Sequence, residues 1–300
     1  MKITLPLDVG IAEIIFLFVS FAAVYGAGFA LGGWGSLALA CLKRLFREEP
    51  TQETFRCLAI DTIESGEKVK AEQAGLTAAD LALIAPERVR VSFRAGEGFD
   101  IHHHPDIAAI VPPDVQPFLR DPAVTLDGGQ AIRSLGAAAL YWSWTDVRAR
   151  VRDGVLRRLL TDTDPRAGRD AHNRLLLFVF ASVCGGSGSG MLIPFSMLLR
   201  DLRGEAIHVD ATTVAILALP EVFSSPTQRN LANAYETLKE LNYWMGGGHA
   251  FPLPGSERIL IDPPFDIVYV VPSSNGVFQL ASPRRAAELA ALFAFHSFQD

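Results

Sequence analysis

Short runs of apolar residues, each closed by a glycine- or proline-containing stretch, set the frame of this chain. Phe55–Thr62, Leu175–Val183, His208–Leu219 and Pro264–Val271 are the clearest of them. They are largely continuous rather than alternating, which predicts strands buried on both faces of a parallel sheet. Between them lie segments with helical spacing. Met191–Arg200 covers one side of a helix with apolar residues, and Ala131–Leu160 is a long helical pattern. Leu231–Met245 places Leu231, Ala234, Tyr235, Leu238, Leu241 and Met245 on one side. Pro283–Phe298 begins a helix rich in Ala and Leu. Leu76–Leu83 reads as a helix with Thr77 as N-cap, and Arg88–Phe93 as a strand. Otherwise the stretch 64–120 is loop-rich, punctuated by Pro105, Pro112, Pro113 and Pro117. The alternation of strand, loop and helix predicts an α/β fold: an open, mostly parallel sheet with helices on both faces.

The segment Ile14–Leu42 carries no charge and admits more than one reading. Its length suits a membrane span, with Lys43, Arg44 and Arg47 on the cytoplasmic side. A signal peptide fits less well, because Asp8 and Glu13 offset Lys2 ahead of the run. A second reading divides the run into a strand over Phe16–Val24, a glycine loop over Gly26–Ser36 and a helix over Leu37–Phe46. A third takes Gly26-Ala-Gly28 to Gly32 as a loose dinucleotide loop, with Asp61 as the acid that would hold a ribose.

Length and composition narrow the classes. Three hundred residues suffice for a sizeable core, and 49% of them are hydrophobic. A net charge of −6 argues against a general nucleic-acid binder. Three widely spaced cysteines, Cys41, Cys57 and Cys184, give neither a disulfide framework nor a zinc module, and fit a reducing, cytoplasmic compartment.

The most distinctive chemistry lies after Val183. Cys184-Gly-Gly-Ser-Gly-Ser-Gly190 follows one predicted strand and opens a predicted helix. Glycines let successive backbone N–H groups converge on an anion, and the helix behind them adds the positive end of its dipole. A flexible linker is the plain alternative, but linkers are not usually gripped between a buried strand and an apolar helix. No GxxxxGK[ST] phosphate loop occurs, and Gly186–Gly190 lacks the register of a GxSxG nucleophile elbow. Acidic residues are too dispersed to name a general acid and base. His102-His103-His104 are consecutive, so their imidazoles point in different directions; an exposed polar loop fits them better than a metal site, and no metal site is expected.

Cys-Gly-Gly-Ser-Gly-Ser-Gly-Met resembles the glycine signature of the tubulin/FtsZ superfamily, and most closely its bacterial tubulin-like branch, in which this loop holds the phosphates of GTP. Ala30-Leu-Gly-Gly-Trp-Gly-Ser36 is similar to that branch's first phosphate loop, with Ala30 in place of a glycine and Trp34 in place of a smaller residue. The resemblance implies nucleotide contacts from Gly32, Gly33, Trp34, Gly35 and Ser36, and from Gly185, Gly186, Ser187, Gly188, Ser189 and Gly190. Asp61 closes a strand on Ile-Asp-Thr, as the family's second strand does; without the family it reads as an N-cap. Asp127–Gly136 resembles the third phosphate loop, which implies contacts from Gly128, Gly129 and Gln130 and aligns Arg133 and Gly136 with that loop's following helix. Taken alone, Gly-Gly there is equally a turn and Arg133 a surface charge.

Glu221, after Pro220, stands where the family has an acid near the ribose; it is equally a solvated loop carboxylate. Asn233–Leu241 resembles the helix at this position, and Arg229 ahead of it faces either the phosphates or only the helix start. Asn275 matches an Asn that reads the guanine edge, or is a plain turn residue.

The resemblance therefore implies a guanine-nucleotide-binding domain over 1–300 that assembles with copies of itself into oligomers or filaments. Its ligands would be GTP or GDP, with Mg2+ as the accompanying ion. Pro283–Phe298 is similar to the start of the family's long central helix, and the sequence stops at Asp300, before the loop that acts on a neighbour's nucleotide and before the activation domain. The expectation is an incomplete hydrolytic site, completed as a GTPase only by a further C-terminal part or a partner subunit. The alternative is a membrane-associated structural or interaction protein that kept the fold and lost nucleotide chemistry, for which Ala30 and Trp34 speak.

Overall fold

A computed structural model describes residues 25–48, 55–62, 83, 85–91, 100–120, 132–161, 175–206, 211–274, 279–280 and 282–298. The predicted strand over Phe16–Val24, most of the Leu76–Leu83 helix, Gly128, Gly129, Gln130 and Asn275 lie outside these residues.

Six strands form one sheet. They are β1 (Tyr25–Leu31), β2 (Phe55–Asp61), β3 (Arg88–Arg90), β4 (Leu175–Ser182), β5 (Ala211–Ala218) and β8 (Ile267–Val271). Their spatial order is β3-β2-β1-β4-β5-β8, with every pair parallel. The chain winds outward in one direction from β1 and in the other from β4. This reversal makes the carboxyl ends of β1 and β4 the switch point at which open α/β sheets bind ligands. A small hairpin, β6 (Phe251–Pro252) and β7 (Ile259–Leu260), stands apart.

Side chains of the central strands are buried alternately on two faces, as the continuous apolar runs require. Phe29, Leu31, Leu177 and Val179 belong to one core; Ala30, Phe178, Phe180 and Ile216 belong to the other. The first core is covered by α3 (Arg133–Trp142) and α6 (Gly186–Ala206), the second by α1 (Gly32–Glu48) and α8 (Pro283–Ser297). The described chain also holds α2 (Pro105–Ile110), α4 (Trp144–Ala149), α5 (Arg157–Thr161) and α7 (Gln228–Met245). Asp201 of α6 is buried and ion-paired with Arg148 of α4 and with Arg258, at 2.6 Å, of the hairpin. Such a charge is tolerated inside only because it is paired.

Four boundaries differ from the sequence expectation. Tyr25–Leu31 is strand, so Gly26–Leu31 is not loop, and α1 starts at Gly32 rather than Leu37. Gly26 and Gly28 are not a dinucleotide turn. A Cβ on Gly26 would lie 1.9 Å from the Phe298 ring, and one on Gly28 would lie 2.4 Å from Leu39. Both glycines make room for a cluster in which Phe46 stacks on Phe55 and meets Phe295 and Phe298 edge-on. From Tyr25 to Leu42 the charge-free run is therefore one central strand and one packed helix, apolar because both are buried. No helix among the described residues is long and apolar enough to cross a membrane.

Gly186–Gly190 is the first turn of α6, not loop. The predicted helix over 131–160 is broken at Ser143 and passes into a π-helical segment at Arg150–Leu156 before α5. In α7, Leu231 and Tyr235 are 41% and 65% exposed, so the apolar side drawn from the sequence is only partly covered. Periodicity shows that a helix has an apolar face; it does not show what packs there.

Candidate functional site

At the switch point β1 turns directly into α1 and β4 turns into α6 through Val183–Gly185. Gly32 sits at φ +69°, a conformation that a side chain would strain. A Cβ on Gly32 would stand 2.9 Å from the Gly188 nitrogen, and one on Gly188 would stand 2.8 Å from the Leu31 carbonyl. The two turns thus press backbone to backbone, and two helix N-termini open side by side. Neither helix has an acidic residue in its first turn. Unsatisfied N–H groups and the positive dipole ends converge there without a competing carboxylate, the arrangement that favours an anion.

A cleft of about 770 Å³ opens over this pair. Gly32, Gly33, Trp34, Asp61, Gly185, Gly186, Ser187 and Gly188 line it, so residues predicted from three separate segments come together. Gly185 is the open point of the second turn: a Cβ there would meet nothing within 4 Å. Asp61 is buried at the end of β2 and accepts the Thr62 N–H at 2.7 Å. The Thr62 and Ser187 hydroxyls share a 2.5 Å hydrogen bond, tying β2 to the second turn.

Other predicted residues serve the packing behind the cleft. Gly35 approaches the Phe180 carbonyl, at 2.2 Å from an added Cβ. Ser36 Oγ donates to the Gly32 carbonyl at 3.0 Å, and Ser189 Oγ donates to the Gly185 carbonyl. Gly190 lets α3 approach, since an added Cβ would fall 2.0 Å from the Arg133 carbonyl. Gly136 does the same from the other side, against the Gly186 carbonyl at 2.4 Å. The Arg133 guanidinium pairs with Glu240 of α7 rather than facing the cleft. Glu221 and Arg229 are exposed and lie outside the lining; Phe223, Ser225, Pro226 and Asn230 line the cleft in their place.

Sequence reasoning missed these four, and also Ser182, Cys184 and the Ser282–Arg284 turn. Signals existed for two of them. Thr227 and Asn230 form a capping box at the start of α7, and Ser282-Pro283 is an N-cap followed by a first-turn proline. Asn230 and Asn233 both donate to the Cys184 carbonyl at 3.0 Å, so α7 holds the second turn in place. Burial raises the Cys184 thiol above its ordinary pKa, with the Ser182 hydroxyl opposing. His102 and His103 are exposed, and no group of three or more His, Cys, Asp or Glu that could hold a metal occurs among the described residues.

Trp34 departs most from the pattern. Its side chain is buried, and its Nε1–H donates to the Pro283 carbonyl at 3.1 Å. The first turn is thereby fastened to the start of α8.

No curated protein sequence matches the chain. Among solved structures it is similar to CetZ2 from Haloferax volcanii, described as a GTPγS-bound protofilament, at 17% identity and TM-score 0.51, covering 92% of this chain and 58% of that one. It is also similar to CetZ from Methanosaeta thermophila at 18% identity and TM-score 0.50, covering 91% and 54%. The chain thus spans little more than half the length of these proteins, and the likeness concerns the fold. The family model described as "Tubulin like" matches residues 30–299, which takes in every element from the end of β1 to α8. With the two glycine turns at the switch point of a parallel sheet, this match means that the chain belongs to the tubulin-like family.

Proposed function

We propose that the cleft binds a guanine nucleotide, phosphates toward Gly32–Gly33 and Gly185–Gly188, and that occupancy supports assembly of this domain with copies of itself. The single observation that carries the reading is the abutment of two glycine turns, each feeding a helix N-terminus, in a cleft lined by Asp61, Asn230 and Ser282. Backbone N–H groups there suit phosphate oxygens, and Asp61 at a strand end suits a ribose hydroxyl or the water shell of an accompanying Mg2+. Among the described lining residues Asp61 is the only carboxylate, and no histidine lines the cleft. This lining supports, as part of the same proposal, binding with little or no turnover by the chain alone.

The test is equilibrium binding of a fluorescent GTP analogue, with ATP and NAD as competitors. Gly185→Val is the informative variant, because its side chain would enter open cleft rather than collide with the fold. Binding displaced by GTP alone, and weakened at least tenfold by Gly185→Val, is expected. Displacement by NAD or ATP instead would overturn the guanine assignment.

A second reading rests on Trp34. Its buried ring occupies part of the first turn, as expected of a scaffold that has kept the fold and given up the ligand. A folded sample with no nucleotide binding would favour it.

A further inference from the structure

A strip of apolar side chains lies along the β8 edge of the sheet, uncovered by the described residues. Ile267 and Tyr269 of β8 and Leu289 and Phe293 of α8 are 41%, 40%, 43% and 38% exposed. They form one surface, because the Tyr269 and Phe293 rings meet edge-on at 4.4 Å. Among the described residues β8 pairs with β5 alone, so its outer edge is open. Edge strands are ordinarily protected by a charge, a proline, a bulge or a covering element. β8 reads Ile-Val-Tyr-Val-Val, without charge or proline, and its register with β5 is unbroken. That leaves a covering element. α8 points the same way: Ala286, Ala290, Ala294 and Phe295 are buried on its inner side, yet Leu289 and Phe293 face outward. Apolar residues on two sides of a helix ask for cover on both.

The sequence supplies a candidate cover. The charge-free run over 14–42 divides at Tyr25: from there on it is β1 and α1, largely buried in the sheet. The remainder, residues 14–24, lies outside the described residues; it contains Phe16, Phe18 and Phe21, carries no charge and is bounded by Glu13. These eleven residues are about half of what a helix needs to cross a bilayer. β1, at the centre of the sheet, cannot supply the rest. An apolar stretch of this kind gains from burial against protein.

The fold brings the strip and the stretch within reach of each other. Residues 14–24 join the chain at the amino end of β1, where the Phe298 ring, just past α8, sits over Gly26. The end of α8 is thus beside the point of attachment. β8 stands three strand spacings from β1, about 14 Å, whereas eleven extended residues reach on the order of 36 Å. We propose that residues 14–24 pack over the β8–α8 strip of their own chain, setting Phe16, Phe18 and Phe21 against Ile267, Tyr269, Leu289 and Phe293. The short tether holds the stretch at high effective concentration, which favours it over a second copy of the chain.

The experiment uses the full 300-residue chain carrying Leu289→Cys, alkylated with iodoacetamide and read peptide by peptide by mass spectrometry. The comparison is the same chain with Phe16→Asp, Phe18→Asp and Phe21→Asp added. Alkylation at position 289 should be slow in the first chain, unchanged by dilution, and at least tenfold faster in the second. Cys57 and Cys184 are buried and should stay unreactive in both, which separates uncovering of the strip from loss of the fold. A second measurement leaves the strip unaltered: a benzophenone side chain in place of Phe18 should crosslink, within one chain, to peptides containing Tyr269 or Phe293. Equal alkylation of the two chains, or crosslinks elsewhere in the chain, would overturn the proposal. Protection lost on dilution, with crosslinks between chains, would overturn it in favour of a second copy. Fast alkylation at 289 with crosslinks to added phosphatidylcholine vesicles would overturn it in favour of a membrane contact.

Discussion

The two glycine turns at the switch point share tight backbone packing and differ in what anchors them beyond it. The first, at Gly32–Ser36, carries a large anchoring side chain of its own: Trp34 is buried and hydrogen-bonded to the Pro283 carbonyl of α8. The second, at Gly185–Gly190, has no large side chain; its glycines pack against backbone, and small hydroxyls and the α7 amides hold it. Gly188 admits the Leu31 carbonyl and Gly190 admits the Arg133 carbonyl, each at a separation that no Cβ would allow. Glycines in such a signature therefore answer two demands, ligand approach and backbone packing, and only position by position can the two be told apart.

The sharpest way to break this comparison is Gly190→Ala. In an ordinary helix interior the change stabilises by about 1 kcal/mol. Here a Cβ 2.0 Å from the Arg133 carbonyl should reverse the sign and destabilise by roughly 4 kcal/mol or more, read as a large fall in the thermal midpoint. An unchanged midpoint would remove packing from the explanation of the second turn. Next in size is Trp34→Ala, expected to cost about 3 kcal/mol for the lost buried ring in a denaturant titration. Trp34→Phe should cost about 1 kcal/mol, chiefly for the hydrogen bond to Pro283. A similar loss in both Trp34 variants would place the effect in the hydrogen bond rather than in the buried ring. Smallest is Gly185→Ala, whose stability should stay within about 0.5 kcal/mol because the added methyl meets open space. If Gly185→Ala melts as early as Gly190→Ala, the distinction between ligand-facing and packing glycines fails.

Much of the fold was legible because burial on both faces leaves a local record. LLLFVFAS reads as a central strand without any knowledge of its neighbours, and β4 is found there. The strand, glycine and helix order at Val183–Met191 was equally plain, although the helix begins at the second glycine rather than after the last. β1 was misplaced for a non-local reason. Gly26 and Gly28 look like loop residues until Phe298 and Leu39, from two different helices, are seen to occupy the space their side chains would need. For the cleft, residues within the two glycine motifs could be named from sequence. Asn230 and Ser282 carried only helix-cap signals, which mark where a helix starts; what brings them to the cleft is where β5 and β8 deliver the chain. Leu231 and Tyr235 show the complementary limit: spacing put them on an apolar face, and only tertiary structure reveals that the described residues leave them uncovered.

The Phe298 ring seated over Gly26 joins one end of the described chain to the other. The two positions form a socket and its plug. A methyl at 26 cannot be accommodated while the ring is present, and removing the ring does not fully free the site, because the Leu176 carbonyl stands 2.9 Å from where that methyl would go. Mutational paths through this pair are consequently one-way: 298 can shrink first and leave a cavity, whereas 26 cannot grow first. Double-mutant cycles should show strong epistasis between them. A chain shortened before Phe298 should lose anchorage of β1 itself, at the far end of the sequence from the cut.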